Sequence, residues 1–333
     1  KAIGITSTVP VEIIFAAGYI PIDLNNIFIC DEDPYGMVEN AETMGFPRNT
    51  CSWIKGIYTA TKNVGIKRII GVVQGDCSHT NALLEVFQSE GIEVIPFSYP
   101  HKGNRSLLEA QLVELAKTLG VEFYKAQEMK ARLDKVRSIV HEIDRLTWEE
   151  GKVSGEENHY WNVSTSDMMG NYELYEQKAA EFLKNAINRQ PKKLETLNSK
   201  LETQIRIGFI GVPPICTDLY VFLESLGTHV VFNEVQRQFS MPYPTETLTE
   251  QYTRYTYPYS IFGRLEDIKS EVKKRNICGV INYVQSFCFR NIQEKIIRAN
   301  IGVPMLTLEC DRPGRLDGAM KTRIEAFIEM LKG

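Results

Sequence analysis

The 333-residue sequence predicts an α/β protein with two Rossmann-like (flavodoxin-like) parallel-sheet domains. Short β-branched runs alternate with segments of helical period in the first half, and the same alternation begins again near residue 204. Such alternation is typical of a parallel sheet covered by helices. A chain of this length also exceeds the usual size of one hydrophobic core. We expect an N-terminal domain at 1–125, a helical arm at 126–203 and a C-terminal domain at 204–333, with a cleft between the two domains.

The elements of the first domain follow from its punctuation and its apolar periodicity. Pro10, Gly18 and Pro21 divide the N-terminal segment into a strand, a short helix and a second strand. β-Branched runs predict four strands, at 20–24, 27–30, 68–73 and 93–97. Apolar residues at helical spacing predict three helices, at 52–64, 80–90 and 107–119.

The rest of the chain divides in the same way. The arm is rich in long polar side chains and has helical periods at 129–146 and 172–187. Its charged positions Lys192, Lys193, Glu195 and Lys200 are expected to form a solvated face. In the second domain, IRIGFIGVPP predicts a strand that stops at its Pro pair. Helices are then expected at 218–226 and 318–331, and strands at 229–233, 279–284 and 304–308.

Charge and hydropathy exclude several classes of protein. The formal net charge is −4, and Lys and Arg are scattered, whereas a nucleic-acid-binding protein normally has a basic face. No apolar run reaches the roughly 18 residues that cross a bilayer. The N-terminal segment lacks the basic region and long apolar core of a signal peptide. We therefore expect a cytoplasmic protein that binds neither nucleic acid nor membrane.

Seven cysteines are the main chemical signal. The cytoplasm keeps thiols reduced, so they are not expected to form a disulfide framework. None forms a CxxC pair, and zinc-finger and ferredoxin spacings are therefore absent. Spacing alone favours the interpretation that they are small buried apolar residues.

Their predicted positions favour a metal site. Open parallel sheets bind ligands beyond the carboxyl ends of their strands. Six cysteines are predicted to lie at such ends or in the loops that follow, namely Cys30, Cys51, Cys77, Cys216, Cys288 and Cys310. Cys278 instead precedes a strand, and we interpret it as a core residue. Thiolates select zinc or iron–sulfur clusters. Six ligands on six loops favour a multi-iron cluster in the cleft, with helix N-termini behind several loops stabilising the thiolates.

Several segments resemble the 2-hydroxyacyl-CoA dehydratase and benzoyl-CoA reductase superfamily. They are CSWIKGIY, QGDCSHTNALLE, VIPFSYP, INYVQSFC and ECDRPGRLDGAMKTRIEAFIEML, and the resemblance extends over nearly the whole chain. In that family three cysteines hold one [4Fe-4S] cubane, and Cys51, Cys77 and Cys288 match them in context and order.

Six cysteines rather than three resemble one branch of the family, the double-cubane cluster proteins. Their [8Fe-9S] cluster joins two cubanes through one sulfide and takes six cysteines, so Cys30, Cys216 and Cys310 would be the added three. How the six divide between the cubanes stays open. The resemblance implies a homodimer and a separate ATP-hydrolysing [4Fe-4S] activator protein. It also implies reduction of small unsaturated or nitrogen–nitrogen-bonded molecules.

The sequence has no GxxxxGK[ST] loop and no GxGxxG after a strand, so nucleotide-driven electron supply is expected from the activator. The residues that flank the proposed ligands could tune the cluster or deliver protons. They are Ser78, His79, Gln285, Glu309, Asp311 and Arg312. His79 is the best proton donor by intrinsic pKa, although a helix-capping or surface role is equally compatible with its position. Glu309 and Arg312 could simply pair with each other. The aromatic group at 252–260 is expected to serve packing or dimer contact.

Three other functions remain compatible with the sequence. The first is a subunit of a 2-hydroxyacyl-CoA dehydratase or benzoyl-CoA reductase with one [4Fe-4S] cluster. The second is a cluster-bearing electron carrier without a substrate of its own. The third is a solute-binding protein, since two α/β domains around a cleft also describe that class.

Overall fold

The structure, a computed structural model, describes residues 1–191 and 204–333. Lys192, Lys193, Glu195 and Lys200, which were expected to form a solvated face, lie outside the described residues. The chain forms two compact units. Unit 1 comprises Lys1–Ile139, Ser164–Ala179 and Gln238–Ser260, and unit 2 comprises Val140–Val163, Ala180–Arg237 and Ile261–Gly333.

The first elements along the chain belong to unit 1. In order they are β1 (Ala2–Ile5), α1 (Val11–Ala16), β2 (Ile20–Asp23), α2 (Leu24–Ile29), α3 (Pro34–Thr43), α4 (Ser52–Val64), β3 (Arg68–Gln74), α5 (Ser78–Ser89), β4 (Glu93–Ser98) and α6 (Arg105–Thr118). The strand, short helix and second strand that Pro10, Gly18 and Pro21 predict are β1, α1 and β2. The predicted strands at 68–73 and 93–97 are also confirmed, as are the three predicted helices.

Helices dominate the middle of the chain. They are α7 (Phe123–Trp148), α8 (Gly155–Val163) and α9 (Tyr172–Ile187), with two short 3-10 turns at Ser164–Ser166 and Met168–Gly170 between α8 and α9. The helical periods at 129–146 and 172–187 are confirmed by α7 and α9. In the part of the chain that the structure describes, no helix is both long and apolar enough to cross a membrane.

The remaining elements belong to unit 2, except for one segment that belongs to unit 1. They are β5 (Ile205–Gly211), α10 (Leu219–Ser225), β6 (Thr228–Asn233), α11 (Glu234–Phe239), α12 (Leu248–Arg254), α13 (Ile261–Lys274), β7 (Gly279–Val284), α14 (Phe289–Asn300), β8 (Met305–Glu309) and α15 (Gly318–Lys332). The segment Gln238–Ser260, which contains α12, belongs to unit 1. Every strand predicted in the second half is confirmed.

Each unit is built on its own four-stranded sheet. The strand orders are β2-β1-β3-β4 and β6-β5-β7-β8, and all the pairs are parallel. In both sheets the first strand of the unit is an inner strand. The second strand lies on one side of it and the later two lie on the other side, which is the doubly wound arrangement. The predicted fold class of two Rossmann-like parallel-sheet units is therefore confirmed.

The predicted strand at 27–30 is wrong, because this segment belongs to the helix α2. The Asp23 side chain caps α2 by accepting the backbone N–H of Asn25 at 2.9 Å. The helix buries Phe28 against α4 at Gly56, where an added Cβ would lie 2.2 Å from the Phe28 ring. Capping and packing against a glycine outweigh the β-branched composition of the segment.

A buried ion pair joins distant segments of unit 1. Glu12 of α1 is fully buried, and its Oε1 lies 2.7 Å from Nη2 of Arg137 in α7. Gln251 donates to Oε1 at 2.7 Å, and the Tyr252 hydroxyl donates to Oε2 at 2.8 Å. Burial alone would raise the pKa of Glu12, but the Arg137 charge and these hydrogen bonds hold it below its usual value. The network therefore stabilises a buried carboxylate that three helices share.

Replacing Arg137 by Met should destabilise the chain by about 3 to 5 kcal/mol, because it leaves the Glu12 carboxylate buried without a countercharge. The measurement is the midpoint of chemical denaturation. Arg145→Met is the matched control, since Arg145 also lies on α7 but pairs at the surface with Glu142 and Glu149. That variant should lose under about 1 kcal/mol. Equal losses in the two variants would contradict a structural role for the buried pair.

Candidate functional site

Three cysteines of unit 2 follow three adjacent strands. The strands β5, β7 and β8 are neighbours and parallel, so their carboxyl ends lie at the same edge of the sheet. Cys216 lies in the loop after β5, Cys288 in the loop after β7, and Cys310 directly after β8. Their predicted positions beyond strand ends are confirmed. The edge at which doubly wound sheets bind ligands thus carries three thiols in unit 2.

Two of these thiols touch. The Sγ atoms of Cys216 and Cys310 are 2.7 Å apart, and both residues are buried. The Cys216 thiol donates to the Cys310 sulfur, which raises the pKa of Cys216 and lowers that of Cys310. The Cys310 sulfur also lies 3.4 Å from the carbonyl oxygen of Arg312.

Backbone pairing brings the two loops together. The backbone N–H of Thr217 donates to the Gly314 carbonyl at 2.8 Å, and Cys216 forms a parallel bridge with Gly314. Tyr283, near the end of the intervening strand β7, joins both loops: its hydroxyl accepts from the backbone N–H of Ile215 at 3.4 Å and donates to the Cys310 carbonyl at 2.9 Å. The contact between the two sulfurs therefore follows from the path of the main chain.

The third thiol of unit 2 lies at a helix start. Cys288 is half-buried and is the N-cap residue of α14. Its backbone N–H donates to the Gln285 carbonyl at 3.1 Å. The helix dipole places partial positive charge at this position, which is a favourable setting for an anionic ligand group.

In unit 1, Cys51 and Cys77 have the same local setting. Cys51 is the N-cap residue of α4 and Cys77 that of α5, and both are half-buried. The helix α4 precedes β3 and α5 follows it, so both helices begin at the carboxyl edge of the sheet. Burial and the charge of the neighbouring Asp76 raise the pKa of Cys77, while Thr80, whose Oγ1 lies 3.6 Å from the sulfur, opposes the shift. Cys51, Cys77 and Cys288, which the sequence resemblance assigns to one cubane, are thus all helix N-caps.

Cys30 is different, and the expectation that it ends a strand is wrong. It is the exposed C-cap residue of α2, where the helix dipole disfavours negative charge. Burial of the sulfur and the charges of Asp167 and Asp23 raise its pKa further. The helix that ends at Cys30 packs against the helix that Cys51 caps, since Phe28 of α2 lies edge-on against Trp53 of α4 with ring centroids 5.5 Å apart.

The two carboxyl groups that act on Cys30 are themselves buried together. Asp167 accepts the backbone N–H of Asp23 at 2.8 Å and that of Met169 at 2.9 Å. Burial and the Asp23 charge raise the pKa of Asp167 to about 7. Met168 and Met169 both have positive φ, at 49° and 55°, in the turn that holds Asp167. Bulky residues rarely adopt this backbone conformation, so the turn is strained.

Cys278 precedes β7 as expected, at the opposite edge from the other cysteines of unit 2. It is exposed, however, and the expectation that it is a core residue is wrong. Its sulfur has only a long contact of 3.9 Å with the Asn276 carbonyl. The helix α13 ends at Lys274 and leaves Cys278 in a short surface connection to the strand.

The flanking residues proposed to tune the site lie around two of the unit 2 loops and one of unit 1. Glu309 accepts from the Asn291 side chain at 3.0 Å, and Asp311 accepts the backbone N–H of Ser286 at 2.7 Å. Gln285 is buried. The others lie beside the proposed ligands: His79 is half-buried, and Ser78 and Arg312 are exposed.

The aromatic group at 252–260 packs inside unit 1. Tyr252, Tyr255 and Tyr259 surround Tyr99, with ring centroids 5.9 to 6.4 Å from it. Tyr252 and Tyr255 are buried, and the Tyr259 hydroxyl donates to the Tyr252 carbonyl at 2.8 Å. The predicted packing role is confirmed.

The described thiols do not form a site for a single metal ion. Within residues 1–191 and 204–333, no three His, Cys, Asp or Glu side chains converge on a point where one metal ion would bind. Thiolates around a cubane bind different irons and need no common point. Two thiolates on one tetrahedral metal would already be about 3.8 Å apart, given a bond of about 2.3 Å. Cys216 and Cys310, at 2.7 Å, are closer together than this.

Comparison with known proteins gave one family. The family model described as "2-hydroxyglutaryl-CoA dehydratase, D-component" matches residues 6–331. The comparison with curated proteins found no match.

The raised pKa of Asp167 predicts that the free energy of unfolding falls as the pH rises. In the folded chain its carboxyl keeps a proton up to about pH 7, whereas the ordinary value is 3.8. Between these values the native state binds more protons than the unfolded state, so the free energy of unfolding decreases with increasing pH. Asp167→Asn removes this dependence. Relative to wild type, it should gain on the order of 2 to 4 kcal/mol between about pH 5 and about pH 8.

Thermal unfolding of both proteins across this pH range is the measurement. Met169→Gly is the matched control, because it relieves the positive φ of the same turn without removing an ionisable group. Its effect on stability should be the same at both ends of the range. An Asp167→Asn effect that is equally independent of pH would contradict the buried, protonated carboxyl.

Proposed function

The chain belongs to the 2-hydroxyglutaryl-CoA dehydratase D-component family, and from this premise we propose that it is an iron–sulfur reductase that reduces small molecules at a double-cubane [8Fe-9S] cluster. Membership makes the chain a catalytic component of the 2-hydroxyacyl-CoA dehydratase type, from a family related to iron–sulfur clusters. It also implies a partner activator component. The cluster type, the activator's ATP-driven supply of electrons and the small-molecule substrate are the proposed part.

The observation that carries the proposal is the division of six cysteines into two sets of three. Unit 1 contributes Cys30, Cys51 and Cys77. Unit 2 contributes Cys216, Cys288 and Cys310. Each cubane of a double cubane has three irons to be bound by thiolates and one on the bridging sulfide, so we assign one cubane to each set. A bound cluster of this kind accepts and passes on single electrons at low potential.

The chain's own residues would hold the cluster, position its loops and act on the substrate. Cys51, Cys77 and Cys288 would bind iron at the N-termini of α4, α5 and α14, where the helix dipoles place partial positive charge. Tyr283 fixes the loops that carry Cys216 and Cys310. We assign proton delivery and hydrogen bonding near the substrate to His79, Gln285, Glu309 and Arg312, which flank the proposed ligands.

The proposed electron donor follows from a nucleotide-binding motif that the sequence lacks. The 333-residue sequence contains no nucleotide-binding loop of the P-loop type, and a separate ATP-hydrolysing [4Fe-4S] activator is therefore the proposed electron donor.

We also propose that the chain acts as a homodimer in the cytoplasm. Small unsaturated or nitrogen–nitrogen-bonded molecules such as acetylene, azide and hydrazine are the proposed substrate class.

A second candidate is a subunit of a 2-hydroxyacyl-CoA dehydratase with one [4Fe-4S] cluster. Membership of the 2-hydroxyglutaryl-CoA dehydratase D-component family favours it. So does the fact that Cys51, Cys77 and Cys288 alone share the N-cap setting, which distinguishes three cysteines from the other three. On this proposal Cys30, Cys216 and Cys310 bind no iron.

Iron and acid-labile sulfide per chain, measured on protein purified without oxygen, separate the two candidates. The double cubane predicts about eight irons and nine sulfides, whereas one cubane predicts about four of each. The double cubane also predicts that activator and ATP support turnover of acetylene or hydrazine. A colourless protein without iron would overturn both candidates.

Single substitutions locate the irons. On the double-cubane proposal, Cys216→Ser and Cys51→Ser should each remove roughly half of the iron or more, because each set loses one of its three thiolates. On the one-cubane proposal, Cys216→Ser should leave the iron content unchanged. Cys278→Ser is the matched control, since this exposed cysteine lies at the opposite edge of the sheet, and it should retain full iron content.

A further inference from the structure

The main chain holds the sulfurs of Cys216 and Cys310 close to bonding distance. Non-bonded heavy atoms usually lie about 3.5 to 4.0 Å apart, and a disulfide bond is about 2.05 Å long. The observed separation of 2.7 Å lies between these values. Closing the remaining gap of about 0.7 Å requires only a small rotation of the two side chains.

Several independent contacts maintain this approach. The Thr217–Gly314 hydrogen bond of 2.8 Å and the bridge between Cys216 and Gly314 join the two loops directly. The Leu316 backbone N–H also donates to the Asp218 carboxylate at 2.7 Å, which extends the pairing beyond the cysteines. Because these contacts involve the loops rather than the thiols, the loops are expected to stay together when no metal is bound.

We propose that Cys216 and Cys310 form a reversible disulfide in the iron-free chain, and that this disulfide blocks cluster assembly on unit 2. The second part rests on the proposed function, since it requires the two cysteines to be cluster ligands. The first part depends only on the thiol pair. Because the disulfide must be reduced before the cysteines can bind iron, assembly of the cluster would depend on a reducing environment.

The oxidant is a small disulfide, RSSR. One cysteine sulfur attacks it, forms a mixed disulfide and releases RS⁻. The second cysteine sulfur then attacks the first, closes the Cys216–Cys310 bond and releases the second RS⁻. The two cysteine protons end on the two released thiolates as RSH. The two electrons lost by the cysteines reduce RSSR.

The disulfide would remove two of the three proposed ligands of unit 2. Metals bind the thiolate, and a disulfide sulfur carries no such charge. Cys288, which lies in the loop after β7, would remain as a single thiol and cannot hold a cubane alone. Cys30, Cys51 and Cys77 of unit 1 would keep their thiols.

Peptide mapping tests the bond itself. The full-length chain is freed of iron with a chelator and treated without oxygen with oxidised glutathione, and then digested with trypsin without reduction. Cys216 is the only cysteine of residues 207–237, and Cys310 is the only cysteine of residues 299–315. We expect these two peptides to be linked, and dithiothreitol to separate them. Both peptides unlinked, or either linked to a peptide with another cysteine, would overturn the proposal.

Two variants serve as controls. Cys278→Ser should form the same linked peptides, because this cysteine lies outside the pair. Cys310→Ala should yield only unlinked residues 207–237. The result on the wild-type chain decides the proposal even when a variant folds poorly.

Iron uptake tests the regulatory part. The oxidised and the dithiothreitol-treated chains are each given ferrous iron and sulfide without oxygen, and the bound iron is counted after excess dithiothreitol has been removed. The reduced chain should bind at least twice as much iron as the oxidised chain. Equal uptake would overturn the block on assembly. Absence of iron from both would instead refute the proposed function and the block with it, while the peptide map still decides the disulfide.

Discussion

Parallel pairing of β5, β7 and β8 is the constraint on which the candidate site of unit 2 depends. The registers Gly211↔Tyr283 and Val284↔Glu309 make the three strands end at nearly the same level. Any residue that directly follows one strand therefore lies near those that follow the others. Tyr283 makes use of this arrangement, because from the central strand its hydroxyl reaches both neighbouring loops. The convergence of distant cysteines is thus a consequence of backbone hydrogen bonding.

Four of the six proposed ligands lie at helix ends, in two different settings. Cys51, Cys77 and Cys288 begin helices of twelve or thirteen residues and receive the favourable end of the dipole. Cys30 ends a helix beside two carboxyl groups, and its thiolate is disfavoured. Thiolate formation at Cys30 is therefore unfavourable, and a metal bound there must supply that free energy itself.

Much of this arrangement could be predicted from the sequence, because parallel strands and helices have distinct periods. The alternation located β3, β4, β7 and β8 and the helix α4. The failure at 27–30 arose because a short capped helix and a β-branched strand have similar compositions, and the deciding contact was with Gly56, which lies elsewhere in the sequence. The exposure of Cys278 was missed because a residue just before a buried strand takes its burial from the preceding turn.

The contact between Cys216 and Cys310 is the feature that no sequence pattern could reveal. These residues are separated by 94 positions and carry no spacing motif. Their approach depends on a turn at Gly314, where φ is +146° and a side chain would be strained. A cluster held by the two thiols would hold them farther apart than the 2.7 Å seen here. Free energy of metal binding would then be spent on separating the sulfurs, and a chain without iron would return them to the distance at which they react with each other.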